Sequence, residues 1–286
     1  PTDFFELSQE ENRIVIKGNT WVNIATGLNW YLKYHAGIHL TWNNMTANLP
    51  ERLPQVTQTE RHETDLKLRY DFNYCTFSYS MAFWDWERWQ TEIDWMALHG
   101  INLPLAIVGE EVAWRNMLLK LGYTKKEIGK FIAGPAFLAW WEMNNLEGWG
   151  GPLPDSWYKQ QETLQKKILQ RMHEYGMEPV LPGFCGMMPH DAKEKLGLNV
   201  TDGGIWNDYT RPANLSPTDA HFDKIADLYY AELTKLYGKA NYYSMDPFHE
   251  TNDDETIDYS KAGCKVMEAM KRVNPKATWV IQGWTE

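Results

Sequence analysis

Residues 85–108 read DWERWQTEIDWMALHGINLPLAIV, and the fold class follows from this stretch. Trp89, Ile93 and Met96 recur at helical spacing, Gly100 stops the helix, and an apolar run over 101–108 begins at once as a strand. The same rhythm sets in at Leu66 and continues to the end of the chain. Strand-like runs fall at 68–75, 101–108, 177–184, 242–246 and 278–283. Between them, residues 156–175 form an amphipathic helix closed by Gly176, with Leu164, Ile168 and Met172 on one face. A helix over 217–237 is expected from Ser216 at its N-cap, Pro217 at its first position and Gly238 at its end. Thr124 and Glu127 spell a capping box for an inserted helix. Alternating strand and helix predicts a parallel sheet, doubly wound or closed into a (β/α)8 TIM barrel.

The loops separate these two architectures. A dinucleotide-binding sheet needs a glycine-rich turn after its first strand, and residues 74–86 (YCTFSYSMAFWDW) contain no glycine. Long aromatic loops after the strands suit a barrel, whose strand C-termini build the site. About five strands are present where eight close a barrel, so the expectation is an α/β chain with an incomplete (β/α)8 barrel, the front part of a larger protein. Residues 1–65 read differently. RIVIK at 13–17 alternates like a half-buried strand, 21–34 has helical spacing, and a polar stretch with Pro50 and Pro54 follows. The expected domains are a small N-terminal α+β domain with linker over 1–65 and the first part of a barrel over 66–286.

Composition narrows the function. The 286 residues are 43% hydrophobic and 23% charged, with a mean hydropathy of -0.54 and no run near the roughly 18 apolar residues of a membrane span. A net charge of -10, without any cluster of Lys and Arg, argues against nucleic acid as a partner. Cys75, Cys185 and Cys264 are odd in number and show no metal-binding or disulfide spacing, and the eight histidines form no ligand motif, so no metal or other cofactor is expected. Fifteen tryptophans suggest an aromatic core or a cleft that stacks flat hydroxylated ligands, sugars first among them. Asn44, Asn199 and Asn214 open glycosylation sequons, which matter in a secretory eukaryote.

Residues just past the strands are the candidates for chemistry. They are Asn73 and Cys75, then Glu110 and Glu111, then Asp246, His249 and Glu250, and finally Trp284. Carboxyls beside aromatics are the equipment of glycoside hydrolysis, one protonating the leaving oxygen while another attacks or activates water. Glu110 and Glu111 also read as a helix N-terminal pair, Asp253, Asp254 and Glu255 as solvated acids, and Trp86 and Trp89 as core.

The motifs CTxSYS (75–80), WDWxRW (84–89), EIDWMALxGINL (92–103), GPAFLAW (134–140), GPLP (151–154) and QGW (282–284) together resemble glycoside hydrolase family 89, the α-N-acetylglucosaminidases. The resemblance implies a small N-terminal domain, a (β/α)8 barrel, a helical C-terminal domain and retaining removal of terminal non-reducing α-linked N-acetylglucosamine from glycoconjugates. It implies that Glu250 is the general acid/base and that Asn73, Cys75, Trp140 and Trp284 line the sugar pocket. Glu110, by its strand-end place, and His249, standing where the family often has Asn, join the expected sugar-binding set. The nucleophilic Glu is expected downstream of residue 286, in the missing C-terminal part of the same protein. A glycan with terminal α-N-acetylglucosamine is the expected partner. The expected location is secreted or periplasmic for a bacterial protein and lysosomal for a eukaryotic one. The rival readings are a non-catalytic glycan-binding protein on the same barrel and another exo-acting barrel glycosidase such as an α-glucuronidase, for whose uronate Arg211 is the one weak candidate.

Overall fold

The computed structural model describes residues 2–250 and 257–283. The chain divides into two compact units: residues 1–71, 84–104 and 167–179, and residues 72–83, 105–166 and 180–286.

The first unit opens with β1 (Asp3–Glu10) and β2 (Arg13–Gly18), an antiparallel hairpin, followed by α1 (Trp21–Tyr34) and β3 (Glu60–Thr64), which pairs antiparallel with the free edge of β1. Thr20 caps α1, its side-chain oxygen accepting from the Asn23 amide. Phe5, Leu7, Tyr31, Leu32, Leu40 and Val56 form the core between helix and sheet. Gly27 makes that packing close: a Cβ there would lie 2.7 Å from Ile16 Cγ2. Next come β4 (Tyr70–Asp71), α2 (Tyr74–Tyr79), which belongs to the second unit, α3 (Trp86–Leu98) and β5 (Leu103–Pro104). Asp85 caps α3 through the Arg88 amide, and Trp89, Ile93 and Met96 are buried, as the periodicity predicted. Trp86 is half-buried, with Lys167 over its ring. β4 and β5 pair in parallel.

The expected strand over 68–75 is corrected. Its paired part is Tyr70–Asp71; Phe72 takes a left-handed φ of 75° and Asn73 caps α2, so the chain turns into a helix where a longer strand was read. The other expected strands appear as shorter paired segments.

The second unit holds α2, α4 (Glu110–Lys120), α5 (Lys125–Phe131), α6 (Leu138–Glu142) and the first part of α7 (Asp155–Glu174). Then follow β6 (Val180–Pro182), β7 (Met187–Met188), α8 (Ala192–Leu196), β8 (Val200–Thr201), β9 (Ile205–Trp206), β10 (Tyr209–Thr210), β11 (Ala213–Leu215), α9 (Phe222–Tyr237), β12 (Tyr242–Ser244), α10 (Tyr259–Val273) and β13 (Thr278–Val280). Leu105 bridges Val180 in parallel, β6 pairs in parallel with β12, and β12 with β13. The Thr124–Glu127 capping box at α5 is present. The expected start of α9 at Pro217 is corrected: Ser216 Oγ accepts from the Thr218 amide and closes a turn, and the helix begins five residues on from Pro217, at Phe222. Among the described residues Trp89, Trp114 and Trp141 are buried tryptophans, with Trp114 ringed by Phe131, Trp141, Phe184 and Tyr229 at centroid distances of 5.3–5.8 Å. Among the described residues no helix is long and apolar enough to cross a membrane.

Candidate active site

β12 ends at Ser244, and the loop after it carries Asp246, His249 and Glu250. Glu250 turns with φ 48°, a left-handed conformation that costs a non-glycine residue about 1–3 kcal/mol unless its surroundings hold it. Arg211 does the holding. Its Nη2 and Nη1 donate to the carbonyls of His249 and Glu250, both at 2.8 Å, while Nε donates to the Asn144 carbonyl at 3.0 Å. A planar guanidinium supplies these diverging donors from one rigid group, which an ammonium cannot.

The carboxylate itself is positioned by two further elements. Glu250 Oε2 accepts from Trp206 Nε1 at 2.6 Å and from Asn145 Nδ2 at 3.0 Å. Trp206 ends β9, which turns into β10 through Asn207 (φ 45°) and Asp208 (φ 69°) with Trp206 facing Tyr209. Both turn residues are left-handed, as a two-residue primed hairpin demands, and Asn and Asp tolerate that conformation. Asn145 is fully buried just past α6, and its amide donates to the Trp140 carbonyl at 2.8 Å. His249 is buried, with Nδ1 3.3 Å from Asp246 Oδ2 and Nε2 4.0 Å from Glu250 Oε2.

The other expected site residues are placed as follows. Asn73 is exposed at the N-cap of α2, where its Oδ1 accepts from the amide and hydroxyl of Thr76. Cys75 is half-buried on α2; burial first, and the charge of Glu250 with it, push its thiol up, so it stays protonated at neutral pH. Trp140, on α6, is half-buried and packs edge-to-face with Tyr79. Trp284, with Asp253, Asp254 and Glu255, lies outside the described residues. Arg211, considered for a uronate, is turned inward to backbone carbonyls. The carboxylate's partners Trp206 and Asn145 were not singled out from the sequence; the Asn207–Asp208 pair between two aromatics was the available hairpin signal.

Glu110 and Glu111 open α4 after Gly109, whose φ of 75° and closeness to Tyr237 leave no room for a side chain. Both are buried. Glu110 Oε1 accepts from Trp114 Nε1 at 3.0 Å and the Tyr229 hydroxyl at 3.1 Å, and Glu111 Oε1 from Trp157 Nε1 at 2.7 Å. Desolvation outweighs those bonds and pushes Glu110 up to about 8 and Glu111 up to about 7. Glu142, on α6, is likewise held well above the ordinary carboxyl range, by burial first and then by the charges of Glu110 and Glu111. Among the described residues no group of three or more His, Cys, Asp or Glu is arranged to hold a metal ion.

Residues 69–286 match the family model described as the alpha-N-acetylglucosaminidase TIM-barrel domain, and residues 1–55 match that of the alpha-N-acetylglucosaminidase N-terminal domain. The chain belongs to the alpha-N-acetylglucosaminidase family. It is 42% identical over 279 residues to human alpha-N-acetylglucosaminidase, covering 95% of this chain and 38% of that protein. A family 89 glycoside hydrolase from Clostridium perfringens, solved with 2-acetamido-1,2-dideoxynojirimycin, superposes with a TM-score of 0.94 at 37% identity. That match covers 99% of this chain and 33% of the bacterial one. A variant of a C. perfringens enzyme with two glutamates changed to glutamine, bound to its substrate GlcNAc-alpha-1,4-galactose, matches with a TM-score of 0.93 at 36% identity, over 99% of this chain and 33% of its own. The chain therefore spans about a third of the length of these alpha-N-acetylglucosaminidase relatives.

Proposed function

We propose that the protein is a retaining exo-acting α-N-acetylglucosaminidase with Glu250 as its general acid/base. On this reading β4, β5, β6, β12 and β13 are successive staves of an incomplete (β/α)8 barrel, and the site gathers past their C-terminal ends. Membership of the family supports the activity, and the substrate bound to the bacterial relative supports a glycan with terminal α-linked N-acetylglucosamine. The observation that carries the residue assignment is the setting of Glu250: a carboxylate past a parallel strand, fastened through Trp206 and Asn145, on a backbone turn pinned by Arg211.

In the first step protonated Glu250 donates to the glycosidic oxygen while a second carboxylate attacks the anomeric carbon, and the aglycone departs as an alcohol. In the second, ionised Glu250 takes a proton from the water that displaces the enzyme carboxylate, releasing N-acetylglucosamine with its α configuration kept. The two carboxyls of such a pair stand about 5–5.5 Å apart. We assign the second to chain downstream of Glu286.

Glu250→Gln in the complete protein tests the assignment. Hydrolysis of GlcNAc-alpha-1,4-galactose should fall about 10²- to 10⁴-fold, the usual share of general acid–base catalysis. On an activated aryl α-N-acetylglucosaminide, whose phenolate departs without a proton, added azide should restore turnover and yield the α-glycosyl azide, because azide needs no base. Undiminished hydrolysis would remove Glu250 from the role, and binding without cleavage by the unaltered protein would favour a glycan-binding module.

A further inference from the structure

Tyr79, the last residue of α2, is 76% exposed, more than any other large hydrophobic side chain among the described residues. An exposed tyrosine on a loose surface would mean little, but this ring is fastened. It meets Trp140 edge-to-face, centroids 5.1 Å apart and planes at 86°. The residue before it, Ser78, accepts the Ala139 amide on its hydroxyl at 3.0 Å, tying α2 to α6 at the same point. Two helices thus hold an open aromatic corner with one face to solvent.

The corner is continuous with the acid/base. Cys75 lies four residues before Tyr79, on the same face of α2 one turn back, and it is the Cys75 thiol that feels the charge of Glu250. On the α6 side, the Trp140 carbonyl accepts from Asn145, whose side chain in turn holds Glu250 Oε2. Glu250 delivers its proton to the oxygen joining two sugars, so the departing sugar has to lie on the open side of that carboxyl. A neutral hexopyranose such as galactose has one face made of C–H groups, and that face packs against an exposed aromatic ring. We infer that Tyr79, backed by Trp140, is the platform for the leaving-group sugar.

This inference rests on the glycosidase reading above, and the experiment keeps the two apart. Tyr79→Ala and Tyr79→Phe are made in the complete protein and assayed on GlcNAc-alpha-1,4-galactose and on α-N-acetylglucosaminyl fluoride, whose leaving group has no surface to stack. Tyr79→Ala should lower kcat/KM for the disaccharide relative to the fluoride about 3- to 10-fold, mainly through KM, the size of one aromatic stacking contact. Tyr79→Phe, which keeps the ring, should restore the ratio. An equal fall on both substrates would make Tyr79 a structural contact, for example with another segment of the protein, and would overturn the inference, as would an unaltered ratio in Tyr79→Ala. Unaltered protein that cleaves neither substrate would instead bring down the glycosidase reading itself.

Discussion

The Trp206 indole N–H donates to Glu250 Oε2 at 2.6 Å, joining residues 44 positions apart in the chain. Left-handed backbone places both: Glu250 takes it in its own turn, and Trp206 ends the strand that runs into the left-handed Asn207–Asp208 turn. Trp206→Phe keeps the ring and deletes the donor. A hydrogen bond to a charged group is worth about 1.5–3 kcal/mol, so kcat/KM on the disaccharide should fall roughly 10- to 100-fold. Activity within twofold of the original would show that the indole does not position the carboxylate.

Arg211→Lys tests the clamp on the Glu250 turn. A lysine cannot reach three diverging carbonyls, and the buried carbonyls of residues 144, 249 and 250 lose their donors. Stability to denaturant should drop by about 2–4 kcal/mol, with activity falling alongside as the turn relaxes. An unchanged unfolding midpoint would mean the loop is held by other contacts.

The buried acids of α4 make stability depend on pH. The Glu110 carboxyl is pushed up to about 8 and Glu111 up to about 7, both above the ordinary 4.5. Between pH 4.5 and 8 the folded protein therefore binds more protons than the unfolded chain, and stability falls as pH rises through that window. The combined loss is of the order of a few kcal/mol. Unfolding free energies at pH 5 and pH 8.5 should differ in that direction, and Glu110→Gln should flatten the slope. Stability rising with pH across the window would refute the burial argument.

Thiol labelling separates the cysteines. Cys264 is exposed, whereas burial pushes the Cys75 thiol up and the Cys185 thiol up to about 12. Brief iodoacetamide treatment at neutral pH should modify Cys264 alone, read by peptide mass, and leave activity intact. Rapid labelling of Cys75 would instead identify a reactive thiolate beside Glu250.

Local patterns carried much of the fold. Trp89, Ile93 and Met96 announced α3, Thr124 with Glu127 announced α5, and the glycines after the helices marked where strands begin. The misread elements failed for local reasons as well. Phe72 looks like a strand residue but takes a left-handed φ, and Ser216 looks like a helix cap but closes a turn five residues early, since short side chains of this kind serve either role. Glu250 stood out as a candidate through its strand-end place and the family resemblance. Trp206 and Asn145 were not, because each meets Glu250 across more than 40 residues and no spacing rule links them.

The sequence by itself determined the alternation of strand and helix, the family, and the carboxyl to be tested, because periodicity, caps and short motifs are properties of neighbouring residues. What the tertiary structure decided is how distant residues meet. It turned Arg211 from a candidate anion binder into a clamp on the Glu250 turn, sank Glu110 and Glu111 into an aromatic interior, and left Tyr79 open to solvent. Burial and side-chain direction depend on packing between segments far apart in the chain, and a hydrogen bond to a backbone carbonyl leaves no trace in residue type.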